Sequence, residues 1–144
     1  MDSAQISVYT HKDKIEDKVI TGHGDFQEYP KTLPRDARNF WEKNIDGLEA
    51  NGGIVIRKDR QVIAFCRYFY DEEEKILHTC GTWVESHERN QKYALKMWTQ
   101  ILATLPPKTF ISAFTVSQGG RGLFSKLQYL HPQFDWDIDG CKAA

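Results

Sequence analysis

Residues able to do chemistry gather in one stretch, 76–98, with the sequence ILHTCGTWVESHERNQKYALKMW. His78 carries an imidazole, whose reference pKa of about 6.5 lets it exchange a proton near neutral pH. Its ordinary alternative is a histidine hydrogen-bonded inside a sheet. His78, Cys80 and Thr82 stand at every second position, so strand alternation places them on one face. A metal site can be drawn there with Cys66, but the spacing fits no zinc pattern. Arg89 and Lys92 bring positive charge to a connection between a strand and a helix. The first turn of a helix has unpaired N–H groups and the positive end of the dipole, so such a connection can hold a phosphate. The same residues also suit an ordinary strand–helix joint.

The elements that position these residues follow from pattern. Ile76, Leu77, Trp83 and Val84 give β-favouring bulk to a strand over Lys75–Val84, and the chain bends at Glu85–Glu88. Ala94, Met97, Trp98, Ile101, Leu102 and Leu105 then recur at helical spacing, opposite Lys92, Lys96, Thr99 and Gln100. That helix reaches Thr104 and stops at Pro106-Pro107. Upstream, Gln5–Thr10 alternates as a first strand. His11–Val19 suits a short helix, and Thr21–Thr32, with Gly22, Gly24 and Pro30, reads as a loop. Pro34 opens a helix carrying Ala37, Phe40, Trp41, Ile45 and Leu48, and Asn51-Gly52-Gly53 ends it. Gly53–Lys58 and Gln61–Tyr70 are strands joined by a tight hairpin at Lys58-Asp59-Arg60, and Asp71–Glu74 is a solvated acidic turn. Downstream come a strand at Thr109–Thr115, a short helix at Ser117–Leu127 and a last strand through Phe134, Trp136 and Ile138.

Composition sets bounds. A chain of 144 residues with 40% hydrophobic content is long enough for one domain, 1–144, with its own core. A formal net charge of −1 argues against a dedicated non-specific nucleic-acid binder. Arg57, Arg60, Arg67, Tyr68, Phe65 and Tyr70 form a basic-aromatic hairpin that could stack bases, or be an exposed hairpin face with packed rings. Cys66, Cys80 and Cys141 are odd in number and widely spaced, which fits buried thiols in a reducing compartment. No apolar run approaches the length of a membrane span, and no signal-peptide pattern is present. A cytoplasmic protein is expected.

The stretch from Val84 to Ala94 resembles the acyl-CoA-binding motif of the GNAT acetyltransferase superfamily. In that motif a strand ends in Val, and Arg or Gln, two residues, Gly, one residue and Gly or Ala follow. Val84, Arg89 and Ala94 fall in register, and Met97 takes the usual apolar helix position. Lys92 stands where the family has its first glycine, which lets the backbone approach a pyrophosphate. A lysine there either keeps the loop shape and adds charge, or marks a site that has lost the cofactor. The family's last motif (Asn, two residues, Ala, three residues, Tyr, three residues, Gly-Phe) is matched in degenerate form by Ser117, Gly120, Phe124, Gln128 and Tyr129. The order of elements over most of residues 5–138 also follows the family.

The resemblance implies an α/β (α+β) fold: a GNAT-like mixed, mostly antiparallel central sheet with helices on both faces. It implies an acyl-CoA-dependent N-acyltransferase that uses acetyl-CoA or another acyl-CoA on an amine-bearing acceptor, small molecule or protein. Strands 75–84 and 109–115 would splay to admit the pantetheine arm. Trp83, Val84, Arg89, Asn90, Gln91, Lys92, Tyr93, Ala94 and Phe124 would line the cofactor. His78 lies six residues before Val84, where the histone-acetylating branch places a glutamate, and becomes the leading base, with Glu85 second. Phe124 occupies the place of a proton-donating tyrosine and cannot donate, which leaves Ser117, Ser125, Tyr93 or a water. The alternatives are a GNAT-shaped binding protein without catalysis and a nucleic-acid base modifier, since phage DNA-modification proteins of the Mom type share this fold. No membrane partner is expected, and a homodimer is left open.

Overall fold

The computed structural model describes residues 5–9, 52–58, 61–115 and 118–140. Six strands form one sheet in chain order: β1 (Gln5–Tyr9), β2 (Gly52–Lys58), β3 (Gln61–Asp71), β4 (Ile76–Val84), β5 (Phe110–Thr115) and β6 (Asp135–Gly140). Strands β1 to β4 are antiparallel neighbours, whereas β5 runs parallel to β4 and β6 parallel to β5. Parallel neighbours need a crossover connection. Helices α1 (Tyr93–Leu102) and α2 (Gln118–Leu130) supply the two crossovers. The result is the expected α+β architecture on a mixed, mostly antiparallel sheet. The helices expected at His11–Val19 and after Pro34, the loop Thr21–Thr32, Ser117 and Cys141 lie outside the described residues.

One face of the sheet carries the helices. Ile54, Ile56, Ala64, Cys66, Tyr68, Tyr70, Leu77, Ile111 and Ala113 pack there against Met97, Trp98, Ile101, Leu102, Phe124 and Leu127. α1 and α2 also touch each other, with the Trp98 and Phe124 rings meeting edge to face at 5.4 Å. Among the described residues both helices therefore share this face. The opposite face holds Val55, Phe65 and Trp83, also buried, with the last two rings stacked at 5.7 Å. Gly52 lies beneath the ring of Tyr68, where any Cβ would overlap the ring atoms.

Beyond shifts of one or two residues, two features differ from those read in the sequence. The chain does not pass from the bend straight into α1: Ser86–Gln91 forms a 3₁₀ helix first. Its first turn is drawn tight by Glu85, whose carbonyl accepts from the Glu88 N–H and whose carboxylate accepts from the His87 N–H. α2 runs to Leu130 rather than Leu127, because nothing after its glycines breaks the helix until Pro132.

Candidate active site

The β4–β5 ladder is short. It pairs Ile76 with Phe110, Leu77 with Ile111 and His78 with Ser112, and then ends. Yet β4 continues to Val84 and β5 to Thr115, and β5 stays paired with β6 along its whole length. The sheet thus opens into a cleft whose closed end is at His78 and whose β4 wall is Thr79–Val84. Among the described residues the β4–β5 ladder does not extend along that wall, so an extended ligand can run there.

Past the end of β4, the 3₁₀ helix meets α1 at Lys92. That residue is left-handed (φ 59°, ψ 33°), the conformation glycine adopts most readily. The lysine keeps the hinge shape and leaves its side chain exposed. The N-cap, Lys92, makes no side-chain hydrogen bond to the first turn of α1, and the leading N–H groups of a helix can hold an anion. Arg89 folds back, its Nε donating to the Val84 carbonyl at 3.0 Å, which sets the guanidinium at the strand end. Lys58 on β2 holds the 3₁₀ helix in place through two 3.1 Å hydrogen bonds to the Glu88 carboxylate. The bond to Glu88 is the main cause of the raised Lys58 pKa.

The expected site residues other than Ser117 lie among the described residues. His78 is half-buried at the closed end of the cleft on the face away from the helices, beside the Phe69 ring at 6.1 Å. Glu85 is held by its neighbours. Desolvation pushes its carboxyl up, but hydrogen bonds from His87 and Ser86 outweigh this and hold it below the usual carboxylate range. Val84 packs toward the helices, whereas Trp83 is buried on the other face. Asn90 and Gln91 contribute backbone to the 3₁₀ helix, and Tyr93 and Ala94 open α1, with the Lys96 ammonium 5.6 Å from the Tyr93 ring centre. Phe124 is a buried core ring against Trp98. Ser125 is exposed on α2. Of the basic-aromatic hairpin residues, Phe65, Arg67, Tyr68 and Tyr70 are buried rather than displayed.

The expectation that His78, Cys80 and Thr82 share a face is corrected by a β-bulge. Arg67 pairs with Gly81 and Tyr68 with Thr79, so Cys80 has no opposite number and the alternation slips by one. His78 therefore faces away from the helices, while Thr82 faces them and accepts a 2.8 Å hydrogen bond from the Trp98 indole. Gly81, a glycine inside a strand, is the sequence signal for the bulge. Cys66 lies buried on the helix face, its thiol pushed well up by burial; burial likewise pushes Cys80 up to about 11, against the nearby Arg67 charge. Neither is a ready nucleophile.

Comparison with curated proteins returns no match. Among solved structures the chain is similar to an IAA acetyltransferase from Bacillus cereus ATCC 14579, at 12% identity and a TM-score of 0.36. The match covers 71% of this chain and 57% of that one, so the chain spans little more than half the length of that protein. The model of the acetyltransferase (GNAT) family matches residues 17–127, well over half of the chain, and the protein belongs to that family.

Proposed function

We propose that the protein is an acyl-CoA-dependent N-acetyltransferase that passes an acetyl group from acetyl-CoA to an amine by direct attack on the thioester. The observation that carries this reading is the early end of the β4–β5 ladder, on the side of β4 that leads to the N-terminus of α1. The leading N–H groups of α1, with the charges of Arg89 and Lys92, suit a pyrophosphate. The part of β4 beyond its ladder with β5 suits the amide groups of a pantetheine arm, which needs both donors and acceptors along an extended line. At the closed end of the cleft, His78 takes a proton from the incoming ammonium, so that the amine attacks in its neutral form. Glu85 is the poorer base, because its carboxylate already accepts from His87 and Ser86 and its pKa is lowered.

Calorimetric titration with acetyl-CoA, followed by thiol release with a panel of amines, tests the reading. Saturable binding with amine-dependent release is expected, and Arg89→Ala should weaken coenzyme A but leave dephosphorylated pantetheine unaffected. Absence of heat at millimolar cofactor overturns the proposal. Binding without turnover on any amine moves the protein to the class of GNAT-shaped binding proteins.

A further inference from the structure

We propose that the Thr82 hydroxyl donates a hydrogen bond to the sulfur of the departing thiolate, an inference that rests on the transferase reading above. Thr82 belongs to the part of β4 that has left the β5 ladder, between His78 at the closed end of the cleft and Val84 at the strand end. The bulge at Cys80 turns it toward α1 and α2. There its Oγ accepts from the Trp98 indole at 2.8 Å. An indole N–H can only donate, so the threonine's own proton is not spent in this bond. Among the described residues no acceptor takes that proton. Accepting one hydrogen bond also polarises a hydroxyl into a better donor. Trp98 is 1% exposed and pinned by the Phe124 ring, so the oxygen is held rather than free to wander. Phe124, on the same side of the cleft, has no proton to offer. An arm that enters beside the first turn of α1 and follows the open edge of β4 toward His78 passes Thr82.

The chemistry follows from relative acidity. An alcohol is a weaker acid than a thiol, so Thr82 does not surrender its proton. The amine nitrogen bonds to the acyl carbon, the carbon–sulfur bond breaks, and its electron pair goes to sulfur. The ammonium has already given one proton to His78, and the second, shed from nitrogen as the carbon–sulfur bond breaks, goes to solvent. Thr82 stabilises the negative charge as it grows on sulfur, and the thiolate leaves as an anion or takes a proton from solvent.

The test needs no turnover. Coenzyme A with its free thiol is bound to the full chain, and the ultraviolet absorbance of its thiolate is followed against pH. The bound thiol should be more acidic than the free one. Thr82→Val should cut that acidity by about tenfold, the scale of one hydrogen bond to a charged acceptor, whereas Thr82→Ser should retain it. In turnover, Thr82→Val should lose about 10- to 100-fold in kcat with the natural thioester and much less with a thioester of an acidic thiol, at unchanged cofactor affinity. If Thr82→Val does not fold because Trp98 loses its acceptor, the pair Thr82→Val with Trp98→Phe removes both polar atoms and is read the same way. Equal thiol acidity in wild type and Thr82→Val overturns the proposal, as does a kcat loss that is uniform across thioesters, which marks a merely structural bond. Failure of wild type to bind coenzyme A overturns the transferase reading as well, so the two failures are told apart.

Discussion

His78 sits where the β4–β5 ladder stops, and its imidazole is half-buried beside Phe69 rather than sealed in the core. A base in that place must be neutral to take a proton from the ammonium. His78→Gln should lower turnover about 10²-fold or more with cofactor affinity nearly unchanged. Full turnover with an intact pH profile would place the base elsewhere. Lys92 makes a test with two opposite signs. A lysine in the left-handed region carries a conformational cost that glycine escapes, so Lys92→Gly should stabilise the fold by about 0.5–1 kcal/mol in denaturant unfolding. The same change removes a charge from the first turn of α1. Coenzyme A should bind more weakly, with a flatter dependence on salt. Tighter binding by Lys92→Gly would make the lysine an obstruction and favour a protein without catalysis.

At the scale of elements, α1 is held by burial and not by its caps. It begins without a side-chain cap, while Met97, Trp98, Ile101 and Leu102 are buried against β3, β4 and α2. Fully burying a side chain of this size contributes roughly 1.5–3 kcal/mol. Met97→Ala should therefore cost on the order of 2–5 kcal/mol, the transfer term plus a cavity. Equilibrium unfolding of the variant measures this, and wild-type stability would mean that the helix presents another face. The arrangement suits an anion site. Packing fixes the helix from its middle, and its N-cap residue Lys92 spends no side-chain hydrogen bond on the first turn.

At the scale of the whole molecule, the sheet is continuous in order but not in pairing. β2 and β3 are paired along nearly their full length, with one irregularity between Ile56 and Arg57, whereas β4 and β5 share three positions. Amides along the part of β4 beyond its ladder with β5 should then exchange hydrogen faster, on average, than those between β2 and β3. Added coenzyme A should slow exchange selectively along this cleft. Uniform slowing over the sheet, or none at the cleft, would count against a strand-like seat for the pantetheine arm.

Much of this was written in the order of residues. Period-two runs marked β2 to β5 and the helical spacing from Ala94 to Leu105 marked α1, because local burial on one face dictates those periods whatever the partner. The resemblance around Val84, Arg89 and Ala94 located the strand end, the hinge and the helix start, and the left-handed Lys92 shows that a lysine can hold the place of a glycine. Other features depend on contacts far apart in the chain. The bulge at Cys80 is set by register against Arg67 and Tyr68, so the face that Thr82 presents could not be counted from spacing alone. The 3₁₀ helix depends on the Glu85 cap and on Lys58, thirty residues from Glu88. Where the β4–β5 ladder ends is a matter of two strands that meet only after a crossover helix has packed. The sequence by itself determined which segments would be strands and helices and which residues could do chemistry. Tertiary structure alone decided where the sheet opens and which of those residues face the opening, because pairing register and helix packing are properties of non-local contacts.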